Sequence, residues 1–128
     1  MAKEISLSIA LNMNKPPLQY ASQPVAFTAS LANANGPSPG SVQATTAGVD
    51  IPLTQFTRAG VCWIQNLDGT NFVTIGVKSG GTFIPMIELL PGEFYVFRFS
   101  RSVLGGSNTF HAVADTANVF LRVDCFDT

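Results

Sequence analysis

The sequence predicts an all-β protein, an antiparallel β-sandwich, and three observations carry that prediction. Apolar and polar residues alternate with a period of two through most of the 128 residues, as strands with one buried face require. Pro, Gly, Asn and Asp punctuate the chain roughly every 8–12 residues, the spacing of short strands joined by turns. No stretch keeps a helical period beyond a turn or two, so no crossover helix is available to build a parallel sheet. About nine short strands follow, in a jelly-roll-like sandwich.

Taken in order, Ile5, Leu7, Ile9, Leu11 and Met13 alternate with Ser6, Ser8, Ala10 and Asn12, a strand with one apolar face. Lys15-Pro16-Pro17 ends it, because proline donates no ladder hydrogen bond. Val25, Phe27, Ala29 and Leu31 line a second strand, and residues 33–41 (NANGPSPGS) read as a loop. Val42–Thr46 is a short strand, and residues 47–57, with Gly48 and Pro52, are irregular or edge structure. Val61–Gln65 and Phe72–Val77 flank Asn66-Leu67-Asp68-Gly69-Thr70-Asn71 and read as a hairpin around an Asp-Gly step. Lys78-Ser79-Gly80-Gly81 turns the chain into Phe83–Leu89, whose Pro85 marks an edge or a bulge. Pro91-Gly92 supplies a tight turn into Phe94–Phe99. A loop over 100–108 precedes a final pair, Thr109–Ala114 and Asn118–Phe126.

Composition bounds the function. At 46% hydrophobic residues the chain is too apolar to be disordered. Charged residues make up only 12% and the formal net charge is −1, which argues against nucleic acid as a partner. A surface so poor in charge fits a protein whose faces are covered by other subunits, since interface centres are depleted in Lys, Glu and Asp. The alternative is a secreted β-domain with a Thr/Asn-rich exterior. No apolar run reaches the ~18 residues that span a bilayer, and Met1-Ala2-Lys3-Glu4 leads into alternation instead of a signal-peptide core, so no membrane partner is expected.

The candidate chemistry is sparse. Cys62 and Cys125 each sit inside a strand and are read as buried free thiols, with a bridge as the alternative. His111, the one histidine, reads as a satisfied strand-face residue, because no nucleophile or orienting carboxylate can be placed beside it. Glu88 and Glu93 flank a turn and would suit a glycosidase pair only if they converged; solvated turn residues are the simpler reading. Asp68-Gly69-Thr70-Asn71 offers oxygen ligands but not the spacing of a calcium loop. Trp63, Tyr20 and Tyr95 would make a sugar-stacking platform if exposed, but Trp63 sits in an apolar run and is assigned to the core. Arg98, Arg101 and Arg122 are candidates for acidic partners or ordinary outward residues. No catalytic, cofactor-binding or metal-binding residue is assigned, and no cofactor is expected.

The most specific signal lies between Gly60 and Phe99. It reads GVCWIQNLDGTNFVTIGV, then GGTFIPMIELLPGEFYVFRF, with Ala117-Asn118-Val119-Phe120-Leu121 further on. This resembles a pattern of small virion proteins of tailed bacteriophages, in which an aromatic strand leads to N-L-D-x-T-N-[FY]-V-x-I-G, then an L-x-P-G-E-[FY] turn and a strand ending near A-N-V-x-L. The likeness covers residues 56–126, and the first 50 residues match nothing in it. It implies a non-enzymatic structural protein of the particle, of the capsid cement or decoration type, made in the host cytoplasm and ending on the capsid surface. Its expected partners are the major capsid protein and further copies of itself, with a trimer favoured; no nucleic acid and no membrane are expected. A tail, neck or fibre-associated component and a carbohydrate-binding β-sandwich module are the alternatives. The domain expectation is one sandwich over 1–128, with 1–24 as a possible N-terminal arm. Its first strand is expected to pair within its own chain, with exchange onto a neighbour's sheet edge as the alternative.

Overall fold

The alternation of the first 30 residues closes into a hairpin ribbon. The computed structural model describes residues 3–100 and 103–128. Strand β1 (Ile5–Ile9) pairs antiparallel with β4 (Val25–Ala29), and β2 (Asn12–Lys15) pairs with β3 (Leu18–Ala21). The two ladders are joined where the Ser22 N–H donates to the Leu11 carbonyl at 2.8 Å and the Leu11 N–H to the Ser22 hydroxyl at 2.8 Å. Gln23 and Pro24 lie in the break between β3 and β4, where a proline costs no ladder bond. At the base, the Glu4 carboxylate accepts from the Leu31 N–H at 3.0 Å. β3 is a strand that the sequence reading passed over. Chain contacts divide the molecule after Ala32, not at residue 24, because β4 folds back along β1. The first strand thus pairs within its own chain.

The second unit, residues 33–128, is a sandwich of two antiparallel four-stranded sheets. Its strands are β5 (Ser38–Ala44), β6 (Val49–Asp50), β7 (Ala59–Asn66), β8 (Val73–Ser79), β9 (Thr82–Leu89), β10 (Phe94–Arg98), β11 (Thr109–Ala114) and β12 (Val119–Asp127). One sheet has the order β10-β7-β12-β5 and the other β6-β11-β8-β9. β8 pairs with β9, β7 with β10, β6 with β11 and β5 with β12. The second unit is therefore one long double-stranded hairpin rolled up on itself, and β12–β7 and β11–β8 pairing closes the roll. This is the jelly-roll topology.

Each sheet contributes one face to the core. Ile64, Val73, Ile75, Val119, Leu121 and Val123 are completely buried there. Phe97, Phe99 and Phe110 pack edge-on or tilted, with ring centroids 4.8–5.8 Å apart, in the geometry that aromatic quadrupoles favour. Phe56 joins them in the core, whose remainder is mainly aliphatic, while Phe27, Phe94 and Phe120 are exposed, so aromatic packing is narrower than ten phenylalanines suggest.

Several local expectations give way to tertiary pairing. Residues 61–65 and 72–77 do not form a hairpin: β7 and β8 lie in different sheets, and the Asp68-Gly69 loop crosses between them. The final two strands likewise sit in different sheets. The loop expected over 33–41 ends early, because β5 starts at Ser38; Pro39 is accommodated because β5 is an outermost strand. Pro85 sits on outermost β9, beside a register shift opposite Ile75 and Gly76, so it is both at an edge and at a bulge. Cys62 and Cys125 are not free. They face each other across β7 and β12 with Cα atoms 4.1 Å apart and form a disulfide. Only the long-range register could show that two cysteines 63 residues apart share one rung.

Candidate functional site

Three turn regions of the Gly60–Leu121 segment, around Asn66–Asn71, Leu89–Glu93 and Thr116–Phe120, meet at one end of the sandwich. Asn66 ends β7 fully buried, with its amide donating to the carbonyls of Asn71 at 2.9 Å and Leu89 at 3.0 Å. Its side-chain oxygen accepts from the Asp68 N–H at 2.8 Å. Its backbone N–H donates to the Glu93 carbonyl and its carbonyl accepts from the Gly92 N–H. The Glu93 carboxylate accepts from the Leu90 N–H at 2.8 Å, and Gly92 takes φ +81°, which the turn after Pro91 needs. The Leu67 N–H reaches the Phe120 carbonyl, and the Thr116 hydroxyl the Asn71 side chain. Asn66 thus ties its own turn to the 89–93 turn, while Leu67 and Asn71 add the segment at 116–120.

Two of the candidate sites lie at or beside that corner. Asp68 directs its carboxylate to the backbone N–H groups of Asn71 and Thr70, and these bonds hold its carboxyl below the usual range. The loop's acidic oxygen serves its own turn, and no group of three or more His, Cys, Asp or Glu able to hold a metal ion occurs among the described residues. Glu93 is engaged by its turn, while Glu88 stands exposed on β9 opposite Thr74.

His111 points to the outer face of its sheet but is buried. Its Nδ1 lies 2.7 Å from Asp50 Oδ1, which also accepts from the Thr109 hydroxyl at 2.9 Å. The bond from His111, then that from Thr109, lowers the Asp50 carboxyl below its ordinary value. Phe83 covers the imidazole with a tilted ring 5.2 Å away. Gly48, at φ +97°, lies so close that any Cβ there would collide with Nε2. The histidine clamps β6 to β11 and has its orienting carboxylate, a partner that sequence alone did not supply.

The outer face of the β10-β7-β12-β5 sheet carries the aromatic feature. Alternation along β7 sends Cys62, Ile64 and Asn66 inward and Val61, Trp63 and Gln65 outward. Trp63 is therefore not in the core. It is half-buried on the outer face, because its ring stacks on Phe94 of the neighbouring strand with centroids 4.6 Å apart and planes 2° from parallel. Phe94 is 47% and Phe120 54% exposed. Arg122 and Asp124, two residues apart on the same face of β12, pair at 2.7 Å. Tyr95 belongs to the opposite face of β10, stacked on Phe97, and Tyr20 belongs to the ribbon, opposite Met13. Trp63, assigned to the core from sequence, and Tyr95 lie on opposite faces of their sheet, so the platform weighed as the alternative is not formed by these two. Arg98 donates to the Thr128 hydroxyl at 2.8 Å, and Arg101 lies outside the described residues.

A cavity of about 400 Å³ opens at the other end of the sandwich, lined by Ile51, Leu53, Phe56, Phe99, Leu104 and Phe110 among others. Beside it the Arg58 guanidinium donates twice to the Thr128 backbone oxygen, and the Asp127 carboxylate accepts from Asn33 and from the Thr57 N–H. These polar groups hold the end of β12, and Thr57 and Arg58 also line the cavity together with Asp50, Asn108 and Thr109.

The ribbon presents a different surface. Register places Leu7 beside Phe27 and Ile9 beside Val25 in one ladder and Met13 beside Tyr20 in the other, so within each ladder the large apolar side chains share a face, with Ser6, Ser8 and Thr28 on the opposite face of β1–β4. Ile9, Leu11, Met13, Leu18, Tyr20, Val25 and Phe27 are 40–69% exposed. No helix among the described residues is long and apolar enough to cross a membrane. No family model, curated protein or solved structure matches the chain.

Proposed function

We propose that this chain is a non-enzymatic structural protein of a tailed-phage virion, of the capsid cement or decoration type, which binds across junctions between major capsid subunits. The observation that carries the reading is the pairing of a rigid, disulfide-linked sandwich with a ribbon whose apolar face is open. Contiguous apolar surface of this extent marks contact with another protein. A sandwich supplies stiffness, and contacts across subunit junctions add buried area that resists outward pressure on a shell. Repeated, equivalent capsid positions suit a symmetric oligomer, and a trimer matches three-fold positions. The virion-protein pattern of residues 60–121 supports the same reading.

A reconstruction of the native particle tests it. The expected result is density for the sandwich at many equivalent sites on the capsid surface. Density confined to a vertex, tail or neck rejects the cement role in favour of another virion station. A second reading, a carbohydrate-binding module, is favoured by the outward Trp63–Phe94 stack. It predicts that oligosaccharides quench or shift the emission of Trp63, the sole tryptophan; unchanged emission across a glycan panel removes it.

A further inference from the structure

We infer that the ribbon is the self-association surface of this protein, and that ribbons of sister copies pack apolar face against apolar face. The inference rests on the self-association part of the virion reading and replaces its trimer with a two-fold pair of ribbons as the basic contact; it concerns the isolated chain and holds at any station in the particle.

A two-stranded ribbon is at best marginally stable in water, and stability needs further strands or a second layer on its apolar face. Here the face is built but open: seven large side chains on β1–β4 and their connections are 40–69% exposed. Seven side chains of roughly 150–200 Å² each, open by those fractions, leave on the order of 600 Å² of apolar surface per ribbon. Two faces in contact would bury about 1,200 Å², the lower end of the range for stable interfaces. Flat two-stranded ladders with paired apolar rows are half of a sheet-on-sheet layer, and a second identical ladder at the usual ~10 Å spacing supplies the other half.

Charge points to the same occupant. Between Glu4 and Lys15, and from Pro16 through Ala32, the ribbon has no charged residue, so like meets like without repulsion. An antiparallel two-fold arrangement sets the tip residue Lys15 of one ribbon toward the base residue Glu4 of the other. A lipid surface is disfavoured, because membrane-binding amphipathic faces are bordered by several Lys or Arg. A ribbon this short of internal stability also cannot stay folded while waiting for a distant partner, and another copy is the partner present at synthesis.

The test is the mass of the full chain in solution across concentrations, by light scattering or sedimentation, for the wild type and for Leu11→Asp and Val25→Asp. The wild type is expected to form a closed oligomer. Each variant is expected to weaken association at least about tenfold, with the thermal transition of the sandwich unchanged. A wild type that stays monomeric overturns the proposal, as does an oligomer that survives both variants. If a charged variant fails to fold, Leu11→Cys replaces it. The native cysteines are paired, so oxidation should cross-link copies through residue 11, and absence of cross-linked chains counts against the proposal. Failure of the particle reconstruction would leave these results standing, and a monomer would leave the particle location untouched.

Discussion

The ribbon and the sandwich are written in the same two-residue period, yet only one of them has a core. In the sandwich, β12 buries Val119, Leu121, Val123 and Cys125 almost without remainder, because a second sheet lies over that face. In the ribbon, β2 and β3 are exposed at every position although Met13, Leu18 and Tyr20 follow the same alternation. Alternation therefore marks a face that can be buried. Whether it is buried depends on how many layers the chain supplies: eight strands cover each other, and four arranged as one ribbon do not. The first unit supplies no second layer over its own apolar face, and the second unit does.

The largest expected effect lies in the sandwich. Ile64→Ala removes a completely buried side chain between the sheets and should cost about 2–5 kcal/mol, read as a lower denaturant midpoint. Leu18→Ala, at a site 62% exposed, should change the same midpoint by under ~0.5 kcal/mol. Equal effects from the two would erase the contrast. Reduction of the Cys62–Cys125 bridge, or the Cys62→Ala/Cys125→Ala double variant, should cost about 2–4 kcal/mol, since the bridge closes a long loop of the unfolded chain. Asn66→Ala strands the carbonyls of Asn71 and Leu89 and the Asp68 N–H at the buried corner. A loss of about 2–3 kcal/mol is expected, and a near-neutral result would show that the motif is not held for architecture. The smallest effect belongs to Asp50. Its carboxyl is held low by His111 and Thr109, so its contribution is complete above the ordinary carboxylate value near pH ~4 and disappears as pH falls through the lower folded value. With that side chain 56% exposed, solvent screening keeps the contribution under ~0.5 kcal/mol. Asp50→Asn should flatten the acid limb of stability accordingly, and an unchanged limb would leave the His111 contact without energetic weight.

Much of this architecture was legible, and the failures share one cause. Strand identity, Pro85 as a bulge at an edge and Pro91-Gly92 as a turn depend on residues within a few positions of one another. The two false hairpins and the unforeseen bridge depend on which strand lies beside which, a property of residues far apart. Trp63 was misplaced because an apolar neighbourhood looks alike whether a side chain meets the opposite sheet or, as here, an aromatic ring on the same outer face. Asn66 offered a sequence signal, an asparagine opening a turn, but its role follows from carbonyls of Asn71 and Leu89 that only the folded corner assembles. The candidate acids, the metal-like loop and the lone histidine were identified as residues, while their partners were not.

Taken alone, the order of residues determines that this chain is all-β, which side chains share a strand face and where turns interrupt it, because sterics and a two-residue period act locally. Tertiary structure decided that neighbouring strands separate into opposite sheets, that Cys62 meets Cys125 and that the N-terminal face stays open. Those outcomes depend on how a rolled hairpin brings distant rungs together and on how many layers are present to exclude water.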